Sequence, residues 1–174
     1  MRRALIGVCA FSLTLLAGCN QSSPTLSSAA FNPAEAAYIR TPGSATISGE
    51  AYLRDPGGSG DTRYAAGEVV RLIPASGYAQ ARIARFYGGS KFVAADAMPK
   101  VTPDPEYVAY TRATKADANG HFSFDHVAPG RYFLTTQVIW KPKGATQSQG
   151  GAIYESVAVS GGESGPIDVV LSGN

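Results

Sequence analysis

ATISGEAYLR, residues 45–54, alternates its side chains with a period of two: Ile47, Ala51 and Leu53 share one parity with Gly49 between them, and Ser48, Glu50, Tyr52 and Arg54 take the other. A segment so patterned buries one face and wets the other only as an extended strand. Strand patterns recur in EVVRLIP, YVAYTRATKA, HFSFDHV, RYFLTTQVIW, AIYESVAVS and GPIDVVLS. Gly, Pro, Asn and Asp punctuate the joints. Seven short strands joined by turn chemistry predict an all-β chain folded as a seven-stranded antiparallel β-sandwich.

One stretch departs from the period. In SGYAQARIARFYGG, Ser76 suits a helix N-cap, Ala79, Ile83, Phe86 and Tyr87 fall on one face, Arg82 and Arg85 on another, and Gly88-Gly89 ends the run, so a single short inserted helix is expected. The excursion containing it runs from Ala75 to about Glu106 and exceeds an ordinary connection; long decorations of this kind are often functional or mobile.

The chain opens MRRALIGVCAFSLTLLAGCN: Arg2 and Arg3 precede an uncharged apolar run from Ala4 to Ala17. This is the anatomy of a secretory signal, expected to occupy residues 1–18, and the run is short for a membrane span. Leu16-Ala17-Gly18-Cys19 resembles the bacterial lipobox, which implies diacylation of Cys19 through its sulfur and removal of the signal. Asn20 follows rather than Asp, which by the lipoprotein sorting logic implies the outer membrane; two or three acyl chains make such an anchor stable. Residues 19–44, rich in Ser, Ala and Pro, read as a flexible tether on which Phe31, Tyr38 and Ile39 are positioned to dock, and residues 45–174 read as one domain.

Loss of Arg2 and Arg3 lowers the 15 basic residues to 13, equal to the 13 acidic ones. A neutral domain without a basic run has no electrostatic footprint for nucleic acid. Cys9 leaves with the signal and Cys19 carries lipid, so no thiol remains for a disulfide or a Cys-type zinc site.

Asp117-Ala118-Asn119-Gly120 predicts a tight hairpin turn, and Ala128-Pro129-Gly130-Arg131 a type II turn, with Phe122 and Phe124 meeting Tyr132 and Leu134 across a core-closing meander. As a calcium loop the stretch fails. With Gly120 at position 6, Asn119 and Asp117 fit positions 5 and 3, but Lys115 and His126 stand at 1 and 12. Residues 117–134, DANGHFSFDHVAPGRYFL, with ISGEAYL and EVVRLIP before them, resemble carboxypeptidase regulatory-like domains over roughly residues 45–172. The resemblance implies a prealbumin/transthyretin-like Greek-key topology and a role as binding module, folding appendage or spacer.

No catalytic constellation is visible. His-x-x-Glu and G-x-S-x-G are absent, and the chain ends Leu-Ser-Gly-Asn where the transthyretin-like hydroxyisourate hydrolases end Tyr-Arg-Gly-Ser. Strict alternation places His121 and His126, five residues apart, on opposite faces. No metal or other cofactor is expected. Two places suit partner binding: the helix, with Arg82, Arg85 and Tyr87, and the strand end, with Trp140 and Lys141, since Trp, Tyr and Arg are common anchors at interfaces. The chain is expected to be a non-catalytic envelope lipoprotein, held to the membrane by lipid, whose sandwich binds a protein or glycan. The alternative is an assembly lipoprotein of a secretion machine that docks an inner-membrane component, because type VI secretion lipoproteins are also tethered transthyretin-like sandwiches; a third reading is a cryptic hydrolase using His121 or His126.

Overall fold

A computed structural model describes residues 30–54 and 60–174. The expected signal peptide, Cys19 and the tether as far as residue 29 lie outside the described residues, as do residues 55–59 of the Gly-rich connection.

Two sheets face one another. In the first, β1 (Ala45–Arg54) pairs antiparallel with β2 (Thr62–Tyr64) and β6 (His121–Val127), and parallel with β9 (Ile167–Leu171). The second runs in the order β4 (Phe92–Ala94), β8 (Gln149–Val159), β7 (Gly130–Trp140), β3 (Val69–Pro74), β5 (Arg112–Lys115), every neighbour antiparallel. The inward parities of these strands supply the core. Ile47, Leu72, Leu134, Ile153 and Leu171 are fully buried within it, each contributing roughly 1.5–3 kcal/mol by leaving water.

The strand count and the pairing correct the expectation. Nine strands form among the described residues, because β2 and β4 add two of three residues each, too short to show a period. The sheets are not wholly antiparallel either. β9 follows β8 from the opposite sheet and enters beside β1 in the same direction, free of the reversal that a hairpin imposes. Residues 107–109, read as the start of a strand, belong instead to a short helix, Pro105–Ala109, capped by Asp104 and opened by Pro105.

The meander is also corrected. β6 belongs to the first sheet, whereas β5 and β7 belong to the second, so the turns at 117–120 and 128–130 each carry the chain across the sandwich and neither closes a paired hairpin. Phe122 and Phe124 therefore meet Tyr132 and Leu134 from opposite sheets within one core. At the second turn Gly130 has φ 155°, far from the roughly +80° of a type II turn, and already pairs with Val159 as the first residue of β7.

The outer face of the second sheet carries a further layer. α1 (Pro33–Ala36) and a 3₁₀ turn (Ala37–Arg40) precede β1, α2 (Gly77–Tyr87) follows β3, and α3 (Pro105–Ala109) precedes β5. Only α2 was expected. Part of the segment read as tether belongs to this layer: Phe31 is buried in edge and tilted contacts with Tyr78, Tyr107 and Tyr110, and Ile39 reaches the main core. The folded body thus begins before Ala45.

Candidate functional site

Strand parity sets the floor of the site. With Val70 and Leu72 turned inward, Arg71 and Ile73 face outward on β3, and beside them Phe133, Thr135 and Gln137 face outward on β7. α2 lies across part of this face. Ser76 caps it, its Oγ accepting the Ala79 N–H at 3.3 Å, and Ala79, Ile83 and Tyr87, four residues apart, turn toward the sheet. The Tyr87 hydroxyl donates to the Ile153 carbonyl at 3.2 Å, and its ring lies 4.5 Å from that of Tyr154, centroid to centroid. Gly88, in the left-handed region, ends the helix.

A second wall comes from the end of the same excursion. The Asp104 carboxylate accepts the Glu106 N–H at 2.8 Å and starts α3, while its own N–H donates to the Tyr78 hydroxyl at 2.9 Å. That bond ties α3 to α2. Between these walls the sheet is left uncovered along a groove of about 540 Å³, with Arg71, Thr135 and Gln137 below, Arg82 and Phe86 on the α2 side, and Tyr107 and Thr111 on the α3 side. The volume falls in the range of small-ligand sites.

The groove's electrostatics rest on few groups. Arg82 lies beside the Tyr78–Tyr107 ring pair, its Cζ 5.8 Å from the Tyr78 centroid and 5.5 Å from that of Tyr107, close enough for cation–π attraction. Burial pushes the Tyr107 hydroxyl above its ordinary range and the Arg82 guanidinium beside it pulls the other way. Burial likewise raises Tyr87, with Tyr154 and Tyr107 adding to it. Both phenols stay neutral. Among the described residues one carboxylate lines the groove, that of Glu68, and it accepts the Gln137 amide N–H at 3.0 Å.

The residues singled out from sequence separate into different places. Arg82 lines the groove, and Arg85 on the same helix is exposed. Tyr87 also borders the groove but is only 6% exposed, because its ring and hydroxyl fasten α2 to β8. Trp140 sits elsewhere, half-buried at the end of the sandwich beside a smaller cavity of about 280 Å³ that Arg63 and Tyr64 also line. Its ring covers Gly150, where an added Cβ would stand 2.5 Å from Cζ3. Lys141 beyond it is exposed. Glu68 borders both cavities.

Arg71, Thr135, Gln137 and Tyr107 were not singled out from sequence. The outward parity of β3 and β7 was available for the first three, but nothing in the pattern says which outward face the excursion crosses.

The histidines are remote from this groove. β6 carries a bulge, two residues, Asp125 and His126, standing against Thr46 alone, with His126 at φ 55°. The extra residue resets the parity. His121 and His126 are therefore both exposed on the first sheet, which corrects the expectation of opposite faces. His121 Nδ1 lies 3.3 Å from Asp117 Oδ2, and its Nε2 lies 3.9 Å from Glu50 Oε1. Among the described residues no three His, Cys, Asp or Glu side chains are grouped to hold a metal ion. No helix among the described residues is long and apolar enough to cross a membrane.

A solved structure from Pseudomonas aeruginosa, described as "a putative carbohydrate binding protein", superposes on this fold with a TM-score of 0.66. The two sequences are 30% identical, over 82% of this chain and 97% of that one. The chain belongs to that protein's family. No protein-family model matches the chain, and no curated protein does.

Proposed function

We propose that this protein is a non-catalytic envelope lipoprotein whose β-sandwich binds a glycan in the groove between α2 and α3. The observation that carries the reading is the 30% identity, across nearly the whole length of the Pseudomonas protein, to a chain described as carbohydrate binding. The groove suits that ligand class. Thr135, Gln137 and Thr111 offer neutral donors and acceptors to sugar hydroxyls, Phe86 offers ring surface, and the sheet beneath holds them on a rigid base. The likeness of residues 117–134 to carboxypeptidase regulatory-like domains, which include binding modules, fits the same role. The proposed lipid on Cys19 would hold the domain at the outer membrane.

The test is binding of the purified full-length protein to an array of bacterial envelope oligosaccharides, beside Thr135→Trp, which fills the groove floor. The expected result is selective binding that the variant loses while its melting temperature stays near the parent's. A lysate cross-linking capture that returns one protein partner, with no saccharide bound on the array, would overturn the glycan reading.

A further inference from the structure

The groove carries more positive charge than a neutral sugar requires. Arg71 rises from β3 in the floor and Arg82 projects from α2 in the wall, and both line the same space. Among the described residues neither guanidinium has a carboxylate within salt-bridge distance; the ion pairs formed are Lys91–Glu155 and the two contacts of His121. Glu68, the only carboxylate on the lining among the described residues, accepts the Gln137 amide N–H at 3.0 Å. Two cations thus face the groove against one anion that already has a partner.

This concentration is local. The chain without its first 18 residues has 13 basic and 13 acidic side chains, so the pair does not reflect a generally basic surface. Arg82 is also preorganised, since the rings of Tyr78 and Tyr107 stack near it and limit the rotamer freedom it would lose on binding. A guanidinium presents paired N–H donors that match the two oxygens of a carboxylate or phosphate, and charge-assisted bonds of this kind are roughly twice as strong as neutral ones.

We infer that the groove selects an anionic saccharide, one whose carboxylate or phosphate group is taken by Arg71 and Arg82 while its hydroxyls bond Thr135 and Gln137. This rests on the glycan-binding reading above and narrows its ligand class. Both the carboxylate of a uronic acid and the phosphate of a sugar phosphate satisfy the same two guanidiniums.

Calorimetric titration of the full-length protein separates the cases. The probes are trigalacturonate, glucose 6-phosphate and the neutral maltotriose, each at low and at raised salt, with the parent, Arg71→Gln, Arg71→Lys and Arg82→Gln. The expected result is binding of at least one anionic probe with about tenfold or greater preference over maltotriose, weakened by salt. Arg71→Gln should lose about tenfold or more, and Arg71→Lys less, because it keeps the charge without the fork. Whichever anionic probe binds identifies the group that is recognised. If maltotriose binds as tightly as the anionic probes and the arginine variants change nothing, the anionic inference fails while the glycan reading stands. If no saccharide binds in these titrations or on the envelope array, both fall. Arg71 is exposed on its strand, so an unchanged melting temperature in Arg71→Gln is expected and separates lost binding from lost fold.

Discussion

Tyr38 shows how one side chain joins the N-terminal segment to the sandwich. Its hydroxyl donates to the Arg131 carbonyl and accepts the Ala75 N–H at 3.1 Å, and its ring packs 5.2 Å from that of Tyr132. The same ring lies against Gly130, where an added Cβ would stand 2.4 Å from Cε2. A glycine is needed there because an aromatic face occupies the place of a side chain. Gly130→Val should therefore expel the ring and destabilise the fold by about 1–3 kcal/mol, the usual cost of overpacking; an unchanged thermal midpoint would contradict it. Tyr38→Phe keeps the ring and removes both hydroxyl bonds, while the Ala75 N–H keeps its bond to the Arg131 carbonyl at 2.9 Å, so a smaller loss of about 0.5–1.5 kcal/mol is expected in the same denaturation measurement.

At the scale of elements, turns set where the chain reverses without saying which sheet it enters. The strands around Ile47, Leu72 and Leu134 were legible because a half-buried strand imposes its period on the sequence. The assignment of β6 to the sheet opposite β5 and β7 was not, since Asn119-Gly120 and Pro129-Gly130 serve a hairpin and a crossing equally well. The bulge at His126 was hidden for a related reason: one added residue looks like a phase error in the alternation. As for the site, Arg82 was visible as a cation on a helix face. Arg71 became meaningful only when α2 and α3 were seen to border the same strip of sheet. Two turns also carry a pH dependence. Asp117 accepts the backbone N–H groups of His121 and Asn119, which hold its carboxyl below the ordinary 3.8. Glu163 accepts the Ser160 hydroxyl and the N–H groups of Ser160 and Gly161, which lower it from 4.5 to about 2. Each folded value lies below the unfolded one, so this stabilisation is complete above the unfolded values and is lost as pH falls through the folded ones. The melting temperature should decline from about pH 4.5 toward pH 2, and Glu163→Gln should flatten part of that decline; parallel pH profiles would refute the assignment.

At the scale of the whole molecule, the packed N-terminal segment would limit how far the groove of a chain anchored at Cys19 could stand from a membrane. Were all of residues 19–44 a free tether, the chain from Cys19 to Ala45 could extend roughly 90 Å at about 3.5 Å per residue. Phe31, Ala36 and Ile39 are buried against the body, so only the chain before Ala30 is available, and its contour from Cys19 is roughly 40 Å at most. An acylated Cys19 would then keep the groove near the bilayer surface, within reach of glycans attached there. Cys19→Ala tests this arrangement. The variant should lose metabolic acyl labelling, while the saccharide titrations of the purified protein stay at the parent's values, because none of the groove residues is changed. Acyl labelling that persists in Cys19→Ala would remove the anchor from the proposal, and the limit on the distance between groove and membrane would go with it.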